Sequence, residues 1–214
     1  MTSPLIVSIS QGNKKLGKIP NFSLSAGTSC PGASDWCSKY CYAKGWPVGF
    51  FNKIRYSDNL SRSKMPDFER KMVHKLRIYA TVSKIKYPPF RIHVSGDFYS
   101  QGYINKWIRI IRVLPQIKFY SYTRSWMIPE LLPILEKLRA LPNMQLFASC
   151  DSTMPDPPQG WRVAWIEGDG KGGVYDDPRS IGLVCPEQSD KKQNCADCKY
   201  CFMGKYKDVI FKIH

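Results

Sequence analysis

Along this chain, short apolar runs of strand length alternate with stretches in which apolar residues recur every three or four positions. Residues 5–9 read as a short strand. A turn-rich link through Gly12, Gly17 and Pro20 then leads to a second strand over residues 21–25. From Pro66, placed as a first helical residue, Phe68, Met72, Leu76 and Ala80 repeat every four positions and predict an amphipathic helix ending before Pro88 and Pro89. Residues 90–95 read as a strand, and Ile104, Trp107, Ile108 and Ile111 mark a second helix. A strand over 117–122 comes next, then a third helix over 128–141 with Pro129 in its first turn and a kink at Pro133, then a strand over 144–149. Past the Pro-rich link of residues 155–160, the segments 162–166 and 181–184 read as strands. The Gly-rich turn between them (Gly168, Gly170, Gly172, Gly173) leaves no room for a full helix. Strand, helix and strand repeated in this way predict an α/β fold: a parallel sheet, open or curled into a partial (β/α) barrel.

The residues just past each strand sharpen the picture. Residues 21–25 lead to Cys30, 90–94 to Ser95, Gly96 and Asp97, 117–122 to Thr123, Arg124 and Ser125. Residues 144–148 lead to Ser149, Cys150 and Asp151, 162–166 to Glu167, Gly168 and Asp169, and 181–184 to Cys185. In parallel α/β folds the carboxyl edge of the sheet is where ligands bind. Polar turns end strands of every kind, but six ligand-type endings in succession point to one functional rim.

The length of 214 residues and an apolar fraction of 43% suffice for one α/β domain over residues 1–184, with a C-terminal cysteine-rich metal-binding lobe over 185–214 packed on it. No basic, apolar leader opens the chain, and no segment approaches the roughly 18 consecutive apolar residues of a membrane helix, so a cytoplasmic protein with reduced thiols and no membrane partner is expected. The net charge is +15 and is uneven: residues 1–92 carry sixteen Lys/Arg against four Asp/Glu. That basic first half suits nucleic acid or a phosphorylated substrate, the plain alternative being a solvated basic surface.

Seven of the eight cysteines form two knots, and these carry the most specific chemistry. Cys30, Cys37 and Cys41 are spaced C-x6-C-x3-C; Cys185, Cys195, Cys198 and Cys201 are spaced C-x9-C-x2-C-x2-C. Three thiolates in one loop can hold three irons of a 4Fe-4S cube and leave the fourth open to a substrate. The second knot has four thiolates and can close a site alone, its compact run resembling iron–sulfur binding more than a zinc ribbon. One cluster shared by both knots, two clusters, or zinc are all compatible with the spacing, and an electron donor is an expected partner of a redox centre. Tyr40 and Tyr42 flank Cys41 and would shield a cluster, or simply pack. Cys150 stands alone, as buried structural cysteines do, the alternative being a ligand or reactive thiol.

Around the rim, Asp97, Asp151, Glu167 and Asp169 are candidate acid–base or amine-holding groups and Arg124 a candidate grip for a carboxylate or phosphate. Each Asp is equally a common turn or cap residue. His93 reads as a core histidine and His74 as a solvated one.

The stretch from Gly27 to Ala43 with its Cys-Tyr-Ala ending resembles the gene product 88 family of phage- and plasmid-borne proteins. So do residues 91–98 (RIHVSGDF), 119–124 (FYSYTR) and the C-terminal Cys-Pro-Glu-Gln with Cys-Ala-Asp-Cys-Lys-Tyr-Cys. The likeness implies a mobile-element origin, hence the cytoplasm of a host cell. A more distant resemblance is to radical S-adenosylmethionine enzymes, in which a three-cysteine loop follows the first strand of a partial barrel. In that family an aromatic residue precedes the last cysteine, as Tyr40 precedes Cys41. The turn holding the methionine group follows the second strand, where Ser95, Gly96 and Asp97 stand. That resemblance implies S-adenosylmethionine as a cofactor, although the family's usual loop is the shorter C-x3-C-x2-C. The competing reading is a non-enzymatic cluster or zinc protein that binds nucleic acid or a host factor.

Overall fold

The computed structural model describes residues 7–45, 49–168, 176–203 and 207–212. Residues 5 and 6, the Gly-rich turn beyond Gly168, and Asp169 lie outside that set. The described chain forms seven strands: β1 (Asn21–Phe22), β2 (Pro89–Ile92), β3 (Lys118–Thr123), β4 (Met144–Cys150), β5 (Arg162–Glu167), β6 (Gly182–Val184) and β7 (Asp208–Lys212). They join in one sheet in the order β1-β2-β3-β4-β5-β7-β6, and every neighbouring pair is parallel. The α/β class and the parallel sheet thus stand. β7 enters between β5 and β6, which brings the C-terminal cysteines back over the sheet.

The helices are α1 (Asp35–Lys39), α2 (Phe50–Lys64), α3 (Phe68–Val82), α4 (Gln101–Arg112), α5 (Leu132–Arg139), α6 (Cys195–Cys198) and α7 (Tyr200–Met203). Phe68, Met72 and Leu76, one turn apart on α3, are all fully buried, as their spacing requires. α4 starts at the Ser100 side chain, which accepts from the Tyr103 N–H, and buries Tyr103, Ile104, Trp107, Ile108, Ile110 and Ile111.

Several expected boundaries move, each for a local reason. Pro66 lies in the turn before α3 rather than in its first turn. The strand expected over 90–95 stops at Ile92 because His93 takes a left-handed backbone, φ 63°. The helix expected over 128–141 shrinks to α5: Ser125–Met127 form a 3-10 turn, and Pro133 sits in the first turn of α5, where its missing N–H costs nothing, instead of kinking the helix. The described part of the first expected strand, residues 7–9, is not a strand.

Side chains alternate across the sheet, and its two faces differ. Phe90, Ile92, Phe119, Leu146, Ala148, Val163 and Trp165 face α3, α4 and α5 and build the main core around Trp107, whose ring lies 5.9 Å from Phe22 and 6.1 Å from Phe68. Tyr120, Tyr122, Phe147, Ala164 and Val209 belong to the other face. There the cover is Leu16 and Ile19 of the N-terminal segment, Phe202 of α7, and the cysteine segments.

Candidate functional site

The first cysteine loop is built by local capping. Cys30 closes a turn with Gly27 (N···O 3.1 Å), the Ser34 hydroxyl accepts from the Cys37 N–H (3.1 Å) to start α1, and Cys41 precedes a 3-10 turn, Tyr42–Lys44. Cys37 thus lies on α1, and Cys41, in extended backbone, just past its end. The loop docks on the end of β3 through Gly32: a Cβ there would collide with the Arg124 carbonyl, so only glycine permits the approach.

The second group is held by the sheet and by the N-terminal segment. The Cys185 N–H donates to Ile210 O of β7 and the Cys195 N–H to Lys15 O, each at 2.8 Å. Asn194 caps α6 by accepting from the Asp197 N–H, and Lys199, in the left-handed region, turns the chain so that α7 brings Cys201 inward.

All seven cysteines, from opposite ends of the chain, line one cavity of about 1000 Å³. It spans the second face of the sheet and reaches the carboxyl rim. Its floor includes Arg91, Tyr120, Tyr122, Ala164 and Ile166, and its rim Ser95, Gly96, Asp97, Arg124 and Ser149. Among the described residues no three His, Cys, Asp or Glu side chains converge as the ligands of a single metal ion would. Burial pushes the Cys30 thiol up to about 12, helped by the Asp97 carboxylate, and burial likewise pushes Cys201 to about 12 and Cys195 to about 11. A thiol raised in this way becomes a good ligand only beside a strong positive charge.

The rim residues form one network across three strand ends. Asp97 accepts from the Thr123 hydroxyl (2.6 Å), the Arg124 N–H (2.8 Å) and the Phe98 N–H (2.7 Å). Burial pushes its carboxyl up, while those bonds favour the anion. The Arg124 guanidinium pairs with Asp151 and donates to the Ser34 hydroxyl (3.0 Å), which in turn donates to Asp151 (2.8 Å). Burial alone would raise the Asp151 carboxyl, but Arg124 and its hydrogen bonds hold it below the ordinary carboxylate range. Gly96 has φ +80°, and a Cβ there would strike Ser29 and Leu24, so the Ser95–Asp97 turn packs tightly against the segment leading to Cys30.

Asp97, Arg124, Ser95 and Gly96 are thus in the cavity wall. Asp151 stands behind Arg124 and Glu167 beside Ile166, and neither lines the cavity. Cys150 is fully buried in the helix-side core, its thiol pushed up to about 12 by burial. The His93 ring also points to that side: its Nε2 lies 2.8 Å from the Tyr103 hydroxyl, its Nδ1 has no partner, and burial together with Arg91 pulls it down to about 3, so it is neutral.

Arg91 is the wall residue that sequence reading passes over. Its Nε donates to His93 O (3.0 Å), its guanidinium lies 4.9 Å from the Tyr122 ring centroid, and its charge acts on both Tyr42, beside the first cysteine loop, and Cys195 of the second group. Among the described residues no carboxylate pairs with it within 4 Å. A charged residue inside a parallel strand, where apolar runs are the rule, was the available signal.

Comparison with known proteins identifies relatives of the chain. The model of the family described as Gene product 88 matches residues 7–204. The chain is 27% identical to the Gene 88 protein of Mycobacterium phage L5, the match covering 94% of this chain and 89% of the relative, and 26% identical to that of Mycobacterium phage D29 over the same shares. No solved structure matches significantly. With its family match running from the first described residue to just beyond the last cysteine, the chain belongs to the Gene product 88 family.

Proposed function

We propose that this chain is an iron–sulfur protein whose two cysteine groups hold 4Fe-4S clusters. Cys30, Cys37 and Cys41 would take a cluster with one iron left open, and Cys185, Cys195, Cys198 and Cys201 a closed second one. The observation that carries this reading is the gathering of seven reduced thiols from both ends of the chain around one cavity. The donor set suits the group: thiolates are the usual cluster ligands, and a four-iron cube needs its sulfurs farther apart than the roughly 2.3 Å bonds around one zinc ion allow. A bound cluster supplies one-electron transfer and, at an open iron, a place for a ligand to coordinate.

The residues of the chain divide the remaining work. Arg91, a cation between the two groups, offsets the negative charge of cluster thiolates or of an anionic ligand. Tyr120 and Tyr122 limit water at the floor. The Ser95–Asp97 turn and Arg124 stand where a ligand entering from the rim would meet them, with Asp151 and Ser34 fixing the Arg124 fork. The finer reading is a radical S-adenosylmethionine-like enzyme: a sheet curled toward a partial barrel, adenosylmethionine held at that turn, and the C-terminal cysteines as a lobe over the cavity. No helix of the described residues is long and apolar enough to cross a membrane.

Anaerobic purification tests the proposal. Brown protein with about eight irons and eight acid-labile sulfides per chain is expected for two clusters, and about four of each for one. A colourless preparation holding zinc and no iron would overturn it in favour of structural zinc sites. For the finer reading, protein reduced with dithionite and incubated with S-adenosylmethionine should release methionine and deoxyadenosine. Neither binding nor product would leave a cluster protein of another kind.

A further inference from the structure

We infer that Arg91 and Tyr120, on the sheet floor of the cysteine cavity, form a subsite for the carboxylate of a small aromatic acid. The inference goes beyond the cluster reading and stands on these two side chains, whatever the thiols hold. Arg91 of β2 and Tyr120 of β3 are direct neighbours in the parallel register, on strands about 4.8 Å apart, and both line the cavity. Tyr120 is 1% exposed, and its hydroxyl has no hydrogen-bond partner among the described residues. Buried hydroxyls are nearly always bonded, so one left over at a cavity floor marks where a ligand would complete it. The Tyr42 hydroxyl, in the same cavity wall, is already taken by the Val94 carbonyl.

Arg91 is held ready beside that hydroxyl. Its Nε donates to His93 O (3.0 Å) and its guanidinium lies 4.9 Å from the Tyr122 ring centroid, contacts that together fix the fork. Both Nη atoms are left without a hydrogen bond among the described residues. Other cations of the wall are matched: Lys15 faces Glu187 at 3.5 Å, and Arg124 pairs with Asp151. One uncompensated charge with two parallel N–H donors fits one planar carboxylate, and the Tyr120 hydroxyl adds a third donor. A phosphate monoester would bring a second charge that this pair does not meet. The surroundings set the rest of the ligand. Phe202 lies 5.6 Å from the Tyr120 ring and Phe211 5.4 Å from that of Tyr122, and all four rings line the cavity. Such walls accept a flat apolar body beside the acid group.

Isothermal titration of the full chain with phenylacetate and indole-3-acetate tests this, with phenylacetamide as the uncharged match and phenyl phosphate as the dianion. The protein is titrated anaerobically as isolated and again after a chelator has removed metal under reducing conditions. Iron without binding would sink this subsite alone, and binding without iron would sink the clusters alone. In both forms the acids should bind at least tenfold more tightly than the amide. Arg91→Gln should abolish that preference, and Arg91→Lys should weaken it by losing the fork. Tyr120→Phe keeps the ring and should weaken acid binding by about tenfold, with a thermal midpoint no lower than that of the parent because the hydroxyl has no partner in the fold. This variant keeps the test open should Arg91→Gln misfold. No binding of either acid, equal affinity for the amide, tighter binding of phenyl phosphate, or affinity untouched by Tyr120→Phe overturns the proposal. So does acid binding that the metal-free chain shows and the iron-loaded chain lacks, since Arg91 would then serve the clusters.

Discussion

The two faces of the sheet are made by the same strands from alternating residues, and they are built to opposite ends. The face under α3, α4 and α5 is filled with rings and branched chains, with His93 Nε2 facing the Tyr103 hydroxyl among them. The opposite face bears tyrosines, an arginine with no acidic partner among the described residues, and seven thiols around open space. The strand period of two lets one set of strands serve both, so stability can reside on one side while the other stays free for a ligand. The contrast predicts that substitutions one residue apart on a strand, or facing opposite sides, should divide cleanly between folding and ligand content.

The largest effect is expected from Trp107→Ala. The ring is fully buried amid Phe22, Phe68, Phe90 and Tyr103, and its removal should cost about 3–5 kcal/mol in denaturant unfolding. Next comes Arg124→Met, which strands the Asp151 carboxylate in a buried site and should cost about 3 kcal/mol, whereas Arg124→Met combined with Asp151→Leu should recover most of that loss. Recovery would show the pair to be replaceable for folding and leave its role to the cavity. No recovery would make the rim part of the core after all.

A smaller effect concerns pH on the helix side. His93 titrates at about 3 in the fold against the ordinary 6.5, the shift arising from burial and from Arg91, with Tyr103 its partner on α4. A depressed folded value means that the unfolded chain takes up the proton first, so stability is complete above pH 6.5 and declines below it. The decline should reach about 2 kcal/mol at pH 5. His93→Asn tolerates the left-handed backbone and removes the titration, so its stability should lose that slope between pH 6.5 and 5. An unchanged slope would place the titrating group elsewhere.

How much of this was legible in the sequence obeys the same division. The period of Phe68, Met72 and Leu76 and the cluster around Trp107 gave α3 and α4, and β2 to β5 showed as apolar runs, because one face of each is buried in a continuous core. α2 stayed hidden: its buried residues are Asn59, Arg62 and Ser63, so no apolar stripe marks it, and polar bonds such as Asn59 to Ser8 and Ser23 hold it instead. β7 is five residues long and lacks a turn signal of its own. The rim residues Ser95, Gly96, Asp97 and Arg124 were readable from their places after strands. That Asp151 and Glu167 stand outside the cavity was not, since side-chain direction at a strand end depends on register. That both cysteine groups meet at one side of the molecule was readable from Cys30 and Cys185 each following a strand; that they close over one sheet face was not, since it needs β7 to enter between β5 and β6.

The smallest expected effect on folding gives the sharpest test of the contrast. Cys41 and Cys198 are partly exposed in the cavity wall and support no core cluster, so Cys41→Ser and Cys198→Ser should each move metal-free unfolding by no more than about 0.5 kcal/mol. In anaerobically purified protein the same changes should lower iron content, Cys41→Ser acting on the proposed open cluster and Cys198→Ser on the proposed closed one, each by up to about four irons per chain. A thiol-to-hydroxyl change conserves shape, so the two measurements separate packing from ligation. If metal-free stability falls as far as in Trp107→Ala, the cysteine face is a second core and its cavity a packing defect. If stability holds and iron falls, these two thiols are kept for chemistry rather than for packing.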